Sequence, residues 1–599
     1  SGELLKLPAV RQKQTTEIKI MHMGKKTNRT NTFVKRQRFV EIFLLLCFCF
    51  LAGRLVYLQI IKYEKYSSLA DSRQYVEKIL PAQRGTIYDR NGNVLAMDVP
   101  VKTLYVDTRH VENKEQTIKV LARILKMPYS EIEKKFREKY PQIKRKLTVE
   151  EYSAIEKEKL KGIVFEDDYK RVYPNGTLAC HVLGSVNIDG KGIEGIELQY
   201  DDVLAGDTGI VAILRDGKGN YLSSFSKITK RPVRGRDIYL TVDSRIQQIV
   251  EEEIANCWET SNPKKVSVIV ADPHTGEILA MANRPNFDPN TPGRFPAEFR
   301  KNYAVTDLFE PGSIFKIVTA AAVLEEKKVN INDVFNCEGG KWFIRGHILH
   351  DAHPYGILDF QQIIIKSSNI GTVKLALKIG EDTLYQYIKR FHFGETTGID
   401  LPGEIRGILR PVERWSDYSI TAIPIGQEVG VTCLQAIRAI SVLANGGYLI
   451  RPHVLKKIDP PDPSTVASFD KEQIISSETI STLNSILSKV VSEEGTAVKA
   501  RIPGYTICGK TGTAQKFENG AYSHTKFVAS FIGFLPLENP RVAILVNVDE
   551  PKGAYYGGAV AAPVFKEIAW RVVQYMGIPP QSASIAMTRI NDNESQRTD

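Results

Sequence analysis

From Phe39 to Ile60 the chain reads FVEIFLLLCFCFLAGRLVYLQI, 22 residues of nearly unbroken apolar character. As a helix that is about 33 Å, against a hydrocarbon core of roughly 30 Å, so the pattern predicts one membrane-spanning segment. Glu41 sits within a turn of the inner end, while Arg54 lies nearly two turns inside the outer end and must snorkel or face a partner helix. A cleaved signal peptide would use residues 42–53 as its apolar stretch, but Leu55, Val56, Leu58 and Ile60 continue it without a small-residue cleavage site.

Beyond this segment the pattern turns to that of folded domains. LARILKMPYSEIEKKFREKY (121–140) and EEYSAIEKEKL (150–160) have helical periodicity with solvated charged faces. RGTIYDRNGNVLA (84–96) carries the hairpin signal Asn91-Gly92 between short apolar runs. Around 231–240 the chain passes through RPVRGRD into the strand-like IYLTVD and the helical SRIQQIVEEEIA, which marks the main domain boundary. VSVIVADPHTGEILAMA (266–282) predicts two strands joined at Pro273 to Gly276. FVASFIGFLP (527–536) and RVAILVNVDE (541–550) predict an antiparallel pair, followed by the helix APVFKEIAWRVVQYM. Strands at both ends with helices between imply a sheet whose first and last strands come together. The expected organisation is an arm (1–38), a transmembrane helix (39–60), a mixed α/β pedestal (61–235), a second α+β domain (240–575) and a polar, disordered tail (576–599).

Charge changes the picture once it is located. The total is +11, but residues 1–38 hold ten Lys and Arg against two acids, so the arm carries +8 and the rest of the chain +3. So located, the charge gives no sign of nucleic acid and, by the positive-inside rule, predicts a cytoplasmic N-terminus with everything after about residue 61 exported to the periplasmic or extracytoplasmic side. Of seven cysteines, Cys47 and Cys49 fall in the apolar segment and the other five are scattered without any CxxC spacing, so no disulfide framework is expected.

The chemistry lies in three short motifs. S-x-x-K occurs five times, and only Ser313 follows a Pro-Gly turn and opens an apolar helix, SIFKIVTAAAVL, with Lys316 on the same face. Taken alone, that is an N-cap serine with a surface lysine. Two further motifs select the other interpretation: S-x-N at Ser367, Ser368 and Asn369, and a single K-T-G at Lys510, Thr511 and Gly512, followed by Thr513. S-x-x-K, S-x-N and K-T-G in this order form a joint signal much stronger than its parts. His347, His350, Asp351 and His353 also cluster, in HILHDAH; beside Trp342 and Phe343 and before the turn at Pro354 to Gly356, they read as an exposed hairpin near the cleft rather than a metal site.

On these motifs the chain resembles a class B penicillin-binding protein, a peptidoglycan D,D-transpeptidase, and within that family the septal, cell-division type. The resemblance runs through GRLVYLQI, RGTIYDRNG, GIEGIE, TDLFEPGSIFK, KSSN, GQEVGVTCLQ, KTGTAQK and YYGGAVAAPVF. It implies a pedestal of the dimerisation type beneath a transpeptidase domain, in which a five-stranded antiparallel sheet packs beside a helical lobe. It implies that Ser313 is the nucleophile on the D-alanyl-D-alanine carbonyl, that Lys316 is its base with Lys510 as a neighbouring cation, that Ser367 relays the proton, and that Asn369 holds the substrate backbone and Lys316. Thr511 and Thr513 would hold the terminal carboxylate, Gly512 would leave room along the edge strand, and the backbone N–H groups of Ser313 and Thr513 would form the oxyanion hole. No cofactor or metal is required. Implied partners are stem peptides, β-lactams, a polytopic membrane glycosyltransferase and other divisome proteins.

Competing interpretations are an elongation-type transpeptidase, a D,D-carboxypeptidase, and, outside enzymes, a β-lactam sensor or divisome scaffold. The roughly 170 residues between anchor and catalytic domain argue against a carboxypeptidase. A 38-residue arm is too short for a signalling domain.

Overall fold

The computed structural model describes residues 27–67, 75–215, 221–461, 471–518 and 520–580, so most of the expected disordered tail lies outside the described residues. The chain forms two compact units, Ser1–Lys78 with Ile210–Thr229, and Ile79–Gly209 with Lys230–Asp599.

In the first unit, helix α1 (Thr27–Val56) runs into a single π-turn at Tyr57–Ile61. Its most apolar window has a mean hydropathy of 2.3, and its length and composition suffice to cross a membrane. The helix begins inside the basic arm, twelve residues ahead of the expected span, because no Gly or Pro interrupts the sequence between Gly24 and Gly53. A three-stranded sheet in the order Tyr75–Leu80, Gly209–Arg215, Tyr221–Lys230 accompanies it.

The second unit has two centres. Leu104, Ile118, Leu121, Ile132 and Ile143 bury a small separate core. Helices pack on it, and the single charged helix expected over 121–140 is two, Lys114–Leu125 and Tyr129–Lys135, because Pro128 cannot continue the first. The remaining pedestal strands share a sheet with the second domain: Leu455–Asp459 pairs Asp237–Leu240, which runs parallel to Ile87–Tyr88. Ile87–Tyr88 pairs antiparallel with Val94–Val106 across the expected Asn91-Gly92 turn, where Gly92 has φ +89°. The motifs RGTIYDRNG and GIEGIE meet beneath this sheet, where Arg84 and Arg171 both grip the buried Glu197.

The large core lies around a five-stranded antiparallel sheet. Helix α2 (Ser244–Ser261), capped by Asp243, leads into β1 (Lys265–Ala271) and β2 (Ile278–Arg284). Near the C-terminus come β3 (Cys508–Glu518), β4 (Ala521–Leu535) and β5 (Val542–Asp549). The order is β2-β1-β5-β4-β3, so β1 pairs with β5, Val268 opposite Val546, as the sequence pattern requires. β1, β2, β5 and the second half of β4 are largely apolar on both faces because both are covered, whereas β3 at the edge is polar. Between β2 and β3 the chain builds a helical lobe with α3 (Lys316–Glu325), α4 (Asn369–Arg390) and α5 (Cys433–Ala444), and α6 (Gly557–Tyr575) closes the chain against α2 and β4. K-T-G therefore stands on an edge strand, with S-x-x-K and S-x-N brought to it by the lobe.

Candidate active site

Ser313 enters the cleft on a turn that glycine makes possible. Gly312 has φ +53°, and a Cβ there would come within 3.2 Å of the Thr513 carbonyl oxygen and 3.3 Å of the Ala514 Cβ. Its N–H donates to the Gly426 carbonyl at 3.1 Å, and a Cβ on Gly426 would stand 2.2 Å from the Gly312 oxygen. Gly426, which opens the segment GQEVG, thus backs the Ser313 turn so closely that no side chain fits between, a role no local sequence pattern announces. The expected helix opens as a 3₁₀ turn, Gly312–Phe315, before α3 begins at Lys316. In that geometry residues three apart eclipse, which stacks Lys316 under Ser313. The Ser313 side chain is half-buried, and its hydroxyl has no hydrogen-bond partner among the described residues.

Lys316 is fully buried, and its ammonium donates to the Ser367 carbonyl at 2.6 Å, the Ser367 hydroxyl at 3.1 Å and the Asn369 Oδ1 at 2.7 Å. Burial pushes it down to about 7, against the opposing pull of the Asp351 carboxylate. Lys510, on β3 and equally buried, donates to the same Ser367 hydroxyl at 2.8 Å. Burial first, and the neighbouring Lys316 second, hold Lys510 well below the ordinary lysine range. Ser367 meets both lysines from a left-handed backbone conformation, φ +59°, which costs a non-glycine residue of order 1 kcal/mol or more and must be held by its surroundings.

Asn369 begins α4, capped by Ser368, whose Oγ accepts from the Gly371 N–H at 2.9 Å. Its amide is used at both ends, Oδ1 by Lys316 and Nδ2 by the His350 carbonyl at 2.8 Å, which leaves one N–H for another acceptor. Sequence reasoning missed the residue that fixes this helix end. The Asp351 carboxylate accepts from the Ser368 hydroxyl at 2.7 Å, from the Ile370 N–H at 3.0 Å and from the Asn369 N–H. A carboxylate there also complements the N-terminal end of the helix dipole. The His cluster forms the expected hairpin, Lys341–Ile344 with His347–His350, and its acidic member turns inward to the S-x-N motif. Among the described residues, no group of three His, Cys, Asp or Glu side chains is arranged to hold a metal ion.

On β3, Lys510 and Gly512 face the helical lobe, while Thr511 and Thr513 face the start of α6. A Cβ on Gly512 would meet the Ser530 Oγ at 2.3 Å and both Ile314 Cγ1 and the Pro311 oxygen at 3.0 Å. Gly512 therefore lets the strand close on the Ser313 turn itself, a tighter constraint than room for a substrate. The Thr513 Oγ1 accepts from the Gly557 N–H at 3.0 Å, and the Thr511 and Thr496 hydroxyls share a hydrogen bond of 2.8 Å. Thr496, on a loop far from K-T-G in sequence, had no signal to mark it.

The arrangement is a serine hydroxyl one turn before a buried lysine whose pKa burial pushes down, with a second hydroxyl bridging that lysine to another. It suits nucleophilic acyl transfer with proton shuttling. Residues 266–569 match the family described as Penicillin binding protein transpeptidase domain, and residues 79–240 match Penicillin-binding Protein dimerisation domain. The chain is 37% identical to Stage V sporulation protein D of Bacillus subtilis, with 92% of this chain and 88% of that protein covered. It is 32% identical to Peptidoglycan D,D-transpeptidase FtsI of Escherichia coli, covering 92% and 94%. Among solved structures it is similar to penicillin binding protein 3 of Mycobacterium tuberculosis complexed with aztreonam, with a TM-score of 0.67, 29% identity, and 84% and 98% of the two chains covered. With S-x-x-K, S-x-N and K-T-G brought together in one cleft, and both domain families matched along the chain, the chain is a class B penicillin-binding protein, a serine-type peptidoglycan D,D-transpeptidase.

Proposed function

We propose that the protein crosslinks peptidoglycan at the division septum through a Ser313 acyl-enzyme. The convergence on the Ser367 hydroxyl of Lys510 and of Lys316, which follows Ser313 by one turn, carries this reading. The neutral amine of Lys316 takes the Ser313 proton as the oxygen attacks the carbonyl between the last two D-alanines of a donor stem peptide. Moving a lysine from about 10.4 to about 7 costs about 5 kcal/mol at 1.36 per unit, which desolvation of the site supplies. The tetrahedral oxyanion is held by the Ser313 and Thr513 N–H groups, each such donor worth about 3 to 4 kcal/mol. The C–N bond then breaks, and the departing D-alanine amine receives its proton from Lys316 through Ser367. An acceptor amine attacks the acyl-enzyme, the ester bond to Ser313 breaks, and the proton returns to the serine. Asn369 and Lys510 orient the donor, with Thr511, Gly512 and Thr513 along its terminal carboxylate. A β-lactam acylates Ser313 in the same geometry.

The septal assignment rests on the flanking motifs TDLFEPGS and YYGGAVAAPVF. The basic arm orients α1 with its N-terminus in the cytoplasm and places the catalytic domain outside. Glycan strands come from a separate polytopic polymerase engaged through α1 and the pedestal. Arg54, whose guanidinium lies 5.4 Å from the Tyr57 ring centroid, is the candidate contact on α1. Ser313→Ala must abolish covalent labelling by fluorescent penicillin; surviving label sinks the nucleophile. Depletion should give filaments, whereas round cells would assign elongation. Arg54→Leu should weaken co-purification of the polymerase and leave penicillin labelling intact; unchanged co-purification would favour snorkelling.

A further inference from the structure

The approach to Ser313 runs against the loop GQEVG. Phe309 and Val431 exchange both backbone hydrogen bonds at 2.9 Å, and the Gly312 N–H reaches the Gly426 carbonyl at 3.1 Å. Between these two fixed points stand Glu310 and Pro311, and Pro311 has no N–H to give. Opposite them Glu428 sits at φ +58°, a left-handed conformation that a residue with a side chain keeps only where its surroundings fix it. Its N–H finds its acceptor in a side chain, Glu310 Oε1, at 3.0 Å.

The same oxygen accepts from the Tyr522 hydroxyl at 3.1 Å. Tyr522 lies near the start of β4, opposite Phe517 of β3, and the two rings meet edge to face at 5.3 Å. One carboxyl oxygen therefore joins three segments distant in sequence: the turn that carries Ser313, the loop that backs it, and the hairpin that continues K-T-G. The loop is anchored on its other side as well. The Glu428 carboxylate pairs with Arg410 and accepts from the Ser419 hydroxyl at 2.7 Å, and Thr319 of α3 donates to the Pro424 carbonyl at 3.0 Å. Pulling on the turn would thus move a braced loop, which makes Glu310 a tie to a fixed support.

We propose that Glu310 is a positioning residue for acylation: its Oε1 holds the Ser313 turn in register with both GQEVG and the β3–β4 hairpin, and so sets the spacing between the nucleophile and the Thr513 N–H. The inference rests on the Ser313 acyl-enzyme and the oxyanion hole given above, whose two N–H donors belong to separate segments, the turn and β3. Such a tie acts on the transition state, where the oxyanion forms, more than on the bound ground state. With Oε1 engaged twice by the protein and Oε2 buried, the carboxyl works through the turn and not on the substrate.

Three variants separate reach from charge. Glu310→Gln keeps an acceptor oxygen at the same reach, Glu310→Asp keeps the charge but draws its oxygens back by one methylene, and Glu310→Ala removes the acceptor. Stopped-flow labelling of the full-length protein in detergent with fluorescent penicillin reads the acylation rate constant, the dissociation constant of the non-covalent complex, and the amplitude of labelled enzyme. Glu310→Ala and Glu310→Asp should acylate about ten- to a hundredfold more slowly, the scale of a small misplacement of reacting atoms, with the dissociation constant within about twofold of the parent. Glu310→Gln should stay close to the parent rate, and Tyr522→Phe, which spares the Glu428 bond, should fall between parent and Glu310→Ala. A lowered amplitude with a parental rate constant would make the role structural only and overturns the proposal. A loss confined to the dissociation constant, which would make Glu310 a substrate contact, overturns it too, as does Glu310→Gln acylating as slowly as Glu310→Ala. If Glu310→Ala fails to fold, Glu310→Asp and Tyr522→Phe carry the test. Label surviving in Ser313→Ala would sink the nucleophile itself, whereas label lost there with a parental rate in Glu310→Asp would remove the positioning role alone.

Discussion

Lys316 and Lys510 donate to one and the same oxygen, the Ser367 hydroxyl, at 3.1 and 2.8 Å. Two ammonium groups cannot both stay charged there without water, so the cleft holds its lysines short of protons. In the proposed mechanism the neutral amine of Lys316 takes the Ser313 proton, and burial pushes Lys316 down to about 7. Acylation by penicillin should therefore rise about tenfold per pH unit below that value and level off above it. Stopped-flow labelling across this range checks it. A profile that is flat, or that breaks only near 10, would remove Lys316 from the role of base.

Asp351 acts on Lys316 twice, through space and through α4. Its charge favours the ammonium, so Asp351→Asn should lower the Lys316 pKa and move the acylation profile to lower pH. Its carboxylate also accepts from Ser368, Asn369 and Ile370, and losing such charge-assisted bonds costs roughly 1.5 to 3 kcal/mol of stability. A variant that loses stability with an unmoved pH profile would confine Asp351 to a structural role.

How much of this was legible in the sequence differs from residue to residue. Ser313, Lys316 and Lys510 could be picked out because S-x-x-K after a Pro-Gly turn, S-x-N and K-T-G on a strand-like run occur in that order, a joint signal that none of the local patterns carries alone. The pairing of β1 with β5 followed from two apolar runs at opposite ends of the domain. Asp351 was visible only as part of a histidine-rich hairpin, since its function depends on α4 arriving beside it, a tertiary event. Gly426 and Thr496 likewise act across the fold, against Gly312 and Thr511, and nothing in their neighbours records those contacts. Local periodicity reports backbone geometry, whereas supporting contacts are set by packing.

Gly512→Ala tests how closely β3 must approach the Ser313 turn. The added methyl would overlap the Ser530 Oγ at 2.3 Å and press on Pro311 and Ile314, an overpacking cost of about 1 to 3 kcal/mol. The strand should shift away from the turn, lowering penicillin acylation more than stability. Adding Ser530→Ala removes the nearest clash and should recover part of the rate. No recovery would mean that the loss arises on the substrate side of the strand.

The pedestal offers the sharpest contrast between a buried and a part-exposed ion pair, because both lie in the motif GIEGIE. Glu197 is fully buried between Arg84 and Arg171, accepting from the Nε of each at 2.6 Å and from the Tyr173 hydroxyl at 3.3 Å. Its backbone carbonyl takes a further N–H of Arg84 at 2.7 Å, and Asp98 and Asp201 complete the cluster. Removing its charge leaves two buried guanidiniums with only Asp98 and Asp201 to balance them, a loss of up to about 3 kcal/mol. Glu194, three residues earlier, pairs with Arg300 while keeping 24% of its side chain exposed, so its neutralisation should cost about 1 kcal/mol or less. Glu197→Gln should therefore shift the denaturation midpoint far more than Glu194→Gln, while the folded fraction of each acylates with penicillin at the parent rate, since neither touches Ser313. Equal midpoints would mean that the Arg84–Glu197–Arg171 cluster specifies how the pedestal strands align without stabilising them.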